Sequence, residues 1–451
     1  APATVVLALI SVPVLMAYEN WDDHDRSQKY SAEFIGNAYL ESVAKDKDAM
    51  IFTIGDNDTF LLWYAQEIEG YRTDVRVINT SLLQTDWYID QMKRQAYKSS
   101  PIPAQIEHKN YAYGVREGIY FRKRTENRWN IKDFVNWVTS DDPNTQETRG
   151  EGEYKQTFYY YPTNKIRIPV NKENVLKSGI VKPEDADKIV DYIDIKLPSV
   201  GMGKNRLMML DILANNDWKR PIYFTGGSYS DEEYIWMRDY LQLDGMAYKL
   251  VPIKTPIDKD NPYDMGRIDA DLMYKIVKSF DWGNMDDPNI YHDPETRRNS
   301  IVFRGNLARL TETLLAEDKI DKAKDVIDIA TTRIPVGNLG YYFTLEPFIS
   351  GYYAVKEPEK ARKLFLEVAK KYQEKIEYYL TFSEINFIRL SDEIAYDLRR
   401  YQALLIPIME DEAFYKKESA TYKKYINRLK ELGRSYGFAT DEEEDQPAPP
   451  Q

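Results

Sequence analysis

Along most of the chain, apolar and polar residues alternate with periods that name the elements before any single residue does. Residues 31–44 carry Phe34, Ile35, Ala38, Tyr39 and Val43 at near-helical spacing, and the charged stretch 45–48 then breaks the pattern. The run AMIFTI at 49–54 follows as a short strand, closed by Gly55 and the polar set Asp56, Asn57, Asp58 and Thr59. Residues 60–69 return to helical spacing, Gly70 stops it, and DVRVIN at 74–79 reads as a second strand. Strand, helix and strand within about thirty residues make one βαβ unit, because parallel strands need a crossover of that length. The order recurs later: KNRLMMLDILA at 204–214 as helix, PIYFT at 221–225 as strand, and MAYKLVPI at 246–253 as a further strand. These pieces predict an α/β fold with an open, mostly parallel sheet.

Two stretches break that rhythm. Residues 99–195 are rich in aromatics and turn formers, with IRIPV at 166–170 and DYIDIKL at 191–197 alternating like short strands. They predict an inserted aromatic-rich subdomain. From residue 299 the pattern becomes helical and stays so, giving an all-α region at 299–437 after an α/β domain at 18–298. Its first hairpin turns near residues 316–320, and Glu359-Lys360-Ala361-Arg362 repeats Asp321-Lys322-Ala323-Lys324 thirty-eight positions on. That period is close to a tetratricopeptide-type repeat, so a tetratricopeptide-like array of helical hairpins is expected. The acidic end, 438–451, has no apolar residue larger than alanine and reads as a disordered tail.

The opening stretch is the exception to all of this: residues 1–17, APATVVLALISVPVLMA, carry no charge. That length is near the lower limit for crossing a bilayer, no basic segment precedes it as in a signal peptide, and Pro13 is tolerated in membrane helices. It predicts the end of a transmembrane helix in contact with the lipid bilayer. Glu19, Asp22, Asp23 and Asp25 follow at once, whereas cytoplasmic flanks favour Lys and Arg, so the exit points to the non-cytoplasmic side, a bacterial periplasm.

Composition narrows the chemistry. The net charge of −12 argues against nucleic acid as a partner, since a duplex needs clustered positive charge. There are no cysteines and only three histidines, which removes disulfides, thiolate nucleophiles and histidine-rich metal centres. What remains is carboxylate and aromatic chemistry. Asp56-Asn57-Asp58-Thr59 falls at the carboxyl end of the first strand, where open α/β sheets bind ligands. The two carboxylates could hold a divalent metal through oxygen, or one of them could simply cap the next helix. Asp22 and His24 form a second possible metal pair. Asp86 and Trp87, past the second strand, suit the hydroxyls and apolar face of a sugar. Lys204 follows Gly201-Met202-Gly203, but Pro198 and Asn205 stand where a P-loop needs Gly and a hydroxyl, so Lys204 is at most an anion contact.

NWDDHDRS at 20–27, the block IFTIGDNDTFLLWYAQEIEGYRTDVRVINTSLLQTDWYIDQM at 51–92, GKNRLMMLDILANNDWKRPIYF at 203–224 and NLARLTETLLAEDKIDKAKDVID at 306–328 carry a resemblance. Together they resemble the C-terminal extramembrane region of the bacterial protein O-mannosyltransferase-like, GT-C type, multi-pass membrane protein family, long catalogued as a domain of unknown function. The resemblance implies an upstream membrane module of the same protein that uses a lipid-linked sugar donor. It assigns no catalytic residue here, so this part is expected to support a protein acceptor or envelope partner without turnover of its own. The alternative is a membrane-anchored scaffold whose repeats assemble envelope proteins.

Overall fold

The computed structural model describes residues 2–152, 156–228, 230–257 and 264–436, and the side chains of residues 22 and 23 lie outside that description. So does the acidic tail at 438–451. The chain divides into two compact units, residues 30–283 and residues 1–29 with 284–451. The boundary therefore falls about fifteen residues before the expected 298. The difference arises because residues 284–293 contain no regular element to mark it, and the helix that follows starts only where Asp293 caps it at Pro294.

The unit of residues 30–283 is built on a five-stranded sheet. Helix α2 (Ser31–Glu41) leads through a charged turn to β1 (Met50–Thr53), whose four residues are all buried. Next come α3 (Asp56–Trp63), β2 (Arg76–Asn79) and α4 (Asp86–Met92). Gly36 permits the α2–α3 contact, because a Cβ there would lie 2.5 Å from the Leu61 carbonyl oxygen.

Beyond α4 the chain builds two smaller sheets before returning. They comprise β3 (Gly118–Phe121), β4 (Trp129–Asn130), β5 (Gln146–Arg149), β6 (Gln156–Tyr161), β7 (Lys165–Pro169), β8 (Tyr192–Lys196) and β9 (Gly201–Gly203), with α5 (Ile131–Thr139) and α6 (Lys172–Ser178) among them. One sheet runs β5-β6-β3-β9 and the other β4-β7-β8. Their strands fall within the aromatic-rich stretch 99–195 and, at the end of β8 and in β9, just beyond it. Helix α7 (Lys204–Asn216) is buried almost all round, which its apolar run requires, and α5 packs against it.

The chain then adds β10 (Ile222–Phe224) and the hairpin β11 (Leu241–Asp244) and β12 (Ala247–Leu250). The main sheet runs β11-β12-β10-β1-β2. β1 pairs in parallel with both β2 and β10, while β12 runs antiparallel to β10 and to β11. The sheet is thus mixed where a mostly parallel one was expected. The physical reason is the two-residue link Gly245-Met246: so short a turn can join only antiparallel strands, and Gly245 supplies its φ of +59°. Phe52 and Phe224 stack at 5.6 Å across the parallel core. Helix α8 (Ala270–Lys278) packs on β11.

The other unit contains α1 (Pro2–His24) and a helical region. Helices α9 (Pro294–Ala316) and α10 (Ile320–Thr332) form the expected hairpin, followed by the single turn α11 (Val336–Leu339). A second hairpin pairs α12 (Glu346–Ala354) with α13 (Pro358–Tyr379). Ala323 and Ala361, the small residues of the repeated tetrad, are both fully buried at corresponding places in α10 and α13. Short α14 (Glu384–Arg389), α15 (Ser391–Ala403) and α16 (Glu412–Ser435) complete it. Helix α1 extends seven residues past the expected end at residue 17, and its apolar window, Pro2–Trp21, has a mean hydropathy of 1.7 and no buried residue. By length and composition it is able to cross a membrane.

Candidate functional site

β1 lies between β2 and β10, so the chain moves one way along the sheet after β1 and the other way after β2. At such a reversal the loops leaving neighbouring strands part, and a crevice opens beyond their carboxyl ends. The DNDT segment starts α3 at this place, as its position after an apolar strand predicts.

The Asp58 carboxylate does not stand free in that crevice. Its Oδ1 accepts from the Gly55 and Thr59 backbone N–H groups, each at 3.0 Å, and its Oδ2 accepts from the Ile54 N–H at 3.0 Å and from the Thr225 hydroxyl. Four donors on two oxygens make Asp58 a helix cap and a tie between the ends of β1 and β10. Burial first, and the nearby Asp58 charge second, hold the Tyr39 phenol well above its ordinary range.

Thr59 is fully buried: its hydroxyl donates to the Gly55 carbonyl at 2.6 Å and meets the Thr53 hydroxyl at 2.6 Å and the Asn79 carboxamide at 2.9 Å. Asn79 in turn accepts from the Leu82 N–H. The segment thus fastens β1, α3 and β2 together. Asp56 and Asn57 are exposed on the rim. Among the described residues no three His, Asp or Glu side chains gather as a metal-ligand group. His24 is exposed and its Nδ1 lies 3.0 Å from the Asn20 carbonyl of its own helix, while the Asp22 side chain lies outside the described residues.

Lys204, read from its glycine-flanked position as at most an anion contact, already has an anionic partner within the chain. It is buried, and its ammonium donates to Glu117 Oε1 at 2.7 Å. Glu117 also accepts from the Gly114 N–H and from Gln84. Partial burial pushes the Glu117 carboxyl up, but Lys204, the Gly114 N–H and Gln84 together hold it below the ordinary range. Glu117, just before β3, supplies the carboxylate that turns an apparent anion contact into an ion pair within the chain, buried on its lysine side only.

Asp86 and Trp87 separate in role. Asp86 spends its carboxylate on the Trp87 and Tyr113 N–H groups, at 2.8 and 3.0 Å, and so pins the insert to the start of α4. Trp87 is 56% exposed and stands edge-on to Tyr88 at 5.6 Å. It lines a cleft of about 420 Å³ together with Trp63, Glu67, Arg76, Gln91 and Tyr97. Sequence reasoning found only Trp87 of this group.

Two features build the rest of the cleft. The end of α3 widens into a π-turn, Tyr64–Ile68, of the kind often found at functional sites, and Gln66 within it donates to the Arg72 and Val75 carbonyls. Tyr97 takes a left-handed backbone, φ +50°, in a tight turn and donates to Glu67 Oε2. Arg76 is a charged residue in a buried strand. Its guanidinium donates to the carbonyls of Ser100, Met92 and Arg94, and burial pulls its pKa down.

An α/β domain with its loops gathered at the strand-order reversal is the class that this fold and edge define. Residues 32–272, more than half of the chain and contained within the unit of residues 30–283, match the family TMEM260-associated domain 2, and the chain belongs to that family. The match relates it to a membrane glycosyltransferase-like protein. No curated protein and no solved structure matches the chain.

Proposed function

We propose that the chain is the non-cytoplasmic, extramembrane region of a multi-pass membrane glycosyltransferase-like protein of the bacterial inner membrane. In this reading the α/β unit and the helical hairpins hold a protein acceptor or partner, while a membrane module of the same protein uses the sugar donor. The observation that carries it is α1, an apolar helix with no buried residue across Pro2–Trp21, on a chain of this family. An isolated soluble chain would pay heavily to leave that surface in water, at roughly 25 cal/mol per Å² of apolar area. The acidic exit after the helix supports a periplasmic orientation. The buried alanines of the two hairpins support a tetratricopeptide-like reading of the helical region.

Removing residues 299–437 from the parent protein should lower acceptor modification and leave donor binding intact. Unchanged modification of every acceptor would sink the proposal.

A second reading, a scaffold that assembles envelope proteins without sugar chemistry, is favoured by one observation: α14 buries none of its residues and exposes Ile385 and Ile388. Proteins co-purifying with the intact parent, lost on Ile388→Glu while acceptor modification persists, would favour this second reading.

A further inference from the structure

The cleft under Trp87 has a chemistry that neither an anchor nor a protein dock requires. Trp63, Trp87 and Tyr97 line it with three aromatic rings. The faces of such rings carry negative charge density and attract polarised C–H groups. Glu67 is an exposed residue of the cleft lining, and one of its carboxylate oxygens accepts from Tyr97. Opposite in charge is Arg76, only 3% exposed, whose Nε and Nη2 are committed to three carbonyls. Nη1 has no acceptor among the described residues and keeps access to solvent, on a side chain that lines the cleft. That donor is open to an acceptor carried by a ligand in the cleft.

These groups select by exclusion. An anion would meet Glu67, and a cation would meet Arg76 in a low-dielectric wall. A purely apolar ligand would leave both uncompensated. A neutral ring with C–H groups on one face and hydroxyls at its edge satisfies all of them, because a hydroxyl donates to Glu67 and accepts from Arg76. We infer that this cleft is a non-catalytic binding site for a neutral pyranose. Its volume of about 420 Å³ admits one or two such rings. The inference stands apart from the membrane placement proposed above, since it rests on the unit of residues 30–283 alone.

The test is ¹⁹F NMR of the full chain labelled with 5-fluorotryptophan, in a detergent without a sugar headgroup. The titrants are methyl pyranosides of glucose, mannose and galactose, and the same sugars carried on a short peptide. Saturable shifts confined to the Trp63 and Trp87 resonances are expected at roughly millimolar concentrations, as for a small site that buries one ring. Trp87→Ala, a change at an exposed position, should weaken binding at least tenfold, and Arg76→Gln should do the same. If Arg76→Gln fails to fold, Glu67→Gln replaces it, with a smaller loss expected. A tenfold gain for the peptide-borne sugar would assign a glycopeptide, and equal affinity a free or terminal glycan; either supports the site. No saturable shift with any pyranoside overturns it, as does binding that Trp87→Ala leaves unchanged. Inorganic phosphate and methylammonium should leave both resonances in place, and tighter binding of either would also overturn the inference.

Discussion

The Thr225 hydroxyl donates to the carboxylate of Asp58, joining the end of β10 to the start of α3 across the point where the strand order reverses. The same carboxylate collects three backbone N–H groups, two of them before the helix starts. Asp58→Ala removes every acceptor at once and leaves part-buried donors unmet. A cost of about 2–3 kcal/mol is expected, whereas Thr225→Val, which removes one donor, should cost about 1 kcal/mol. Hydrogen exchange at the β1 amides measures both. A fully protected β1 in the Asp58→Ala chain would show that the carboxylate is not a structural tie and would return it to a ligand role.

Glu117 and Lys204 make stability depend on pH. The folded Glu117 carboxyl titrates below its ordinary value of 4.5, so the folded chain binds fewer protons than the unfolded one in that range. Its stabilisation is complete above the unfolded value and is lost as pH falls through the folded one. Lys204→Met keeps the buried volume and removes the partner; because Glu117 is partly exposed, the loss should be only about 1–2 kcal/mol at neutral pH. The variant's loss of stability should shrink as the solution is acidified below pH 4.5. Urea titrations at a series of pH values would show this convergence, and parallel curves would reject it.

Much of the α/β core could be read from the sequence because its strands are continuous apolar runs bounded by turn residues. β1, β2 and β10 fall inside the stretches 49–54, 74–79 and 221–225. Position along a sheet edge was equally legible, which is why the DNDT segment stands at the reversal. Partners were not. Lys204 read as at most an anion contact because its partner, Glu117, is far away in sequence. β11 escaped because LQLD lacks the apolar run of its neighbours, and with it went the antiparallel half of the sheet. The cleft was least visible of all: its π-turn has the composition of an ordinary helix, and Arg76 is a charge inside a strand, a place where periodicity expects none.

In the helical unit, Arg304 is fully buried on α9 and donates to the carbonyls of Ile334, Gly340 and Tyr341 and to the Thr344 hydroxyl. Burial pulls it down to about 10. It fixes the segment after α10, where α11 and the turn at Tyr342–Leu345 supply only single-turn ladders. Arg304→Met should cost about 3 kcal/mol by leaving those acceptors unmet, and Arg304→Lys should recover little, since one ammonium cannot reach partners on several sides of a planar fork. Thermal unfolding followed by helical circular dichroism is the measurement. Full rescue by lysine would mean that charge alone, and not the fork, holds the segment.

The absence of cysteine in this chain makes the membrane reading directly testable, because a thiol introduced here is the only one within its 451 residues and labelling of the unsubstituted parent supplies the background. Lys98 and Lys416 are exposed, one in each compact unit. In intact spheroplasts of a bacterium expressing the parent protein, a membrane-impermeant maleimide should label Lys98→Cys and Lys416→Cys alike. Labelling only after lysis would place both units in the cytoplasm and overturn the periplasmic proposal. Leu9→Lys, near the centre of the apolar window, tests α1 itself: a central lysine costs about 2.5–3.5 kcal/mol of insertion free energy, enough to lower the inserted fraction of a short span. A fall in carbonate-resistant membrane association of the isolated chain is expected. If instead Leu9→Lys leaves association unchanged, α1 does not hold the chain in the bilayer, and its exposed apolar face must be covered by protein.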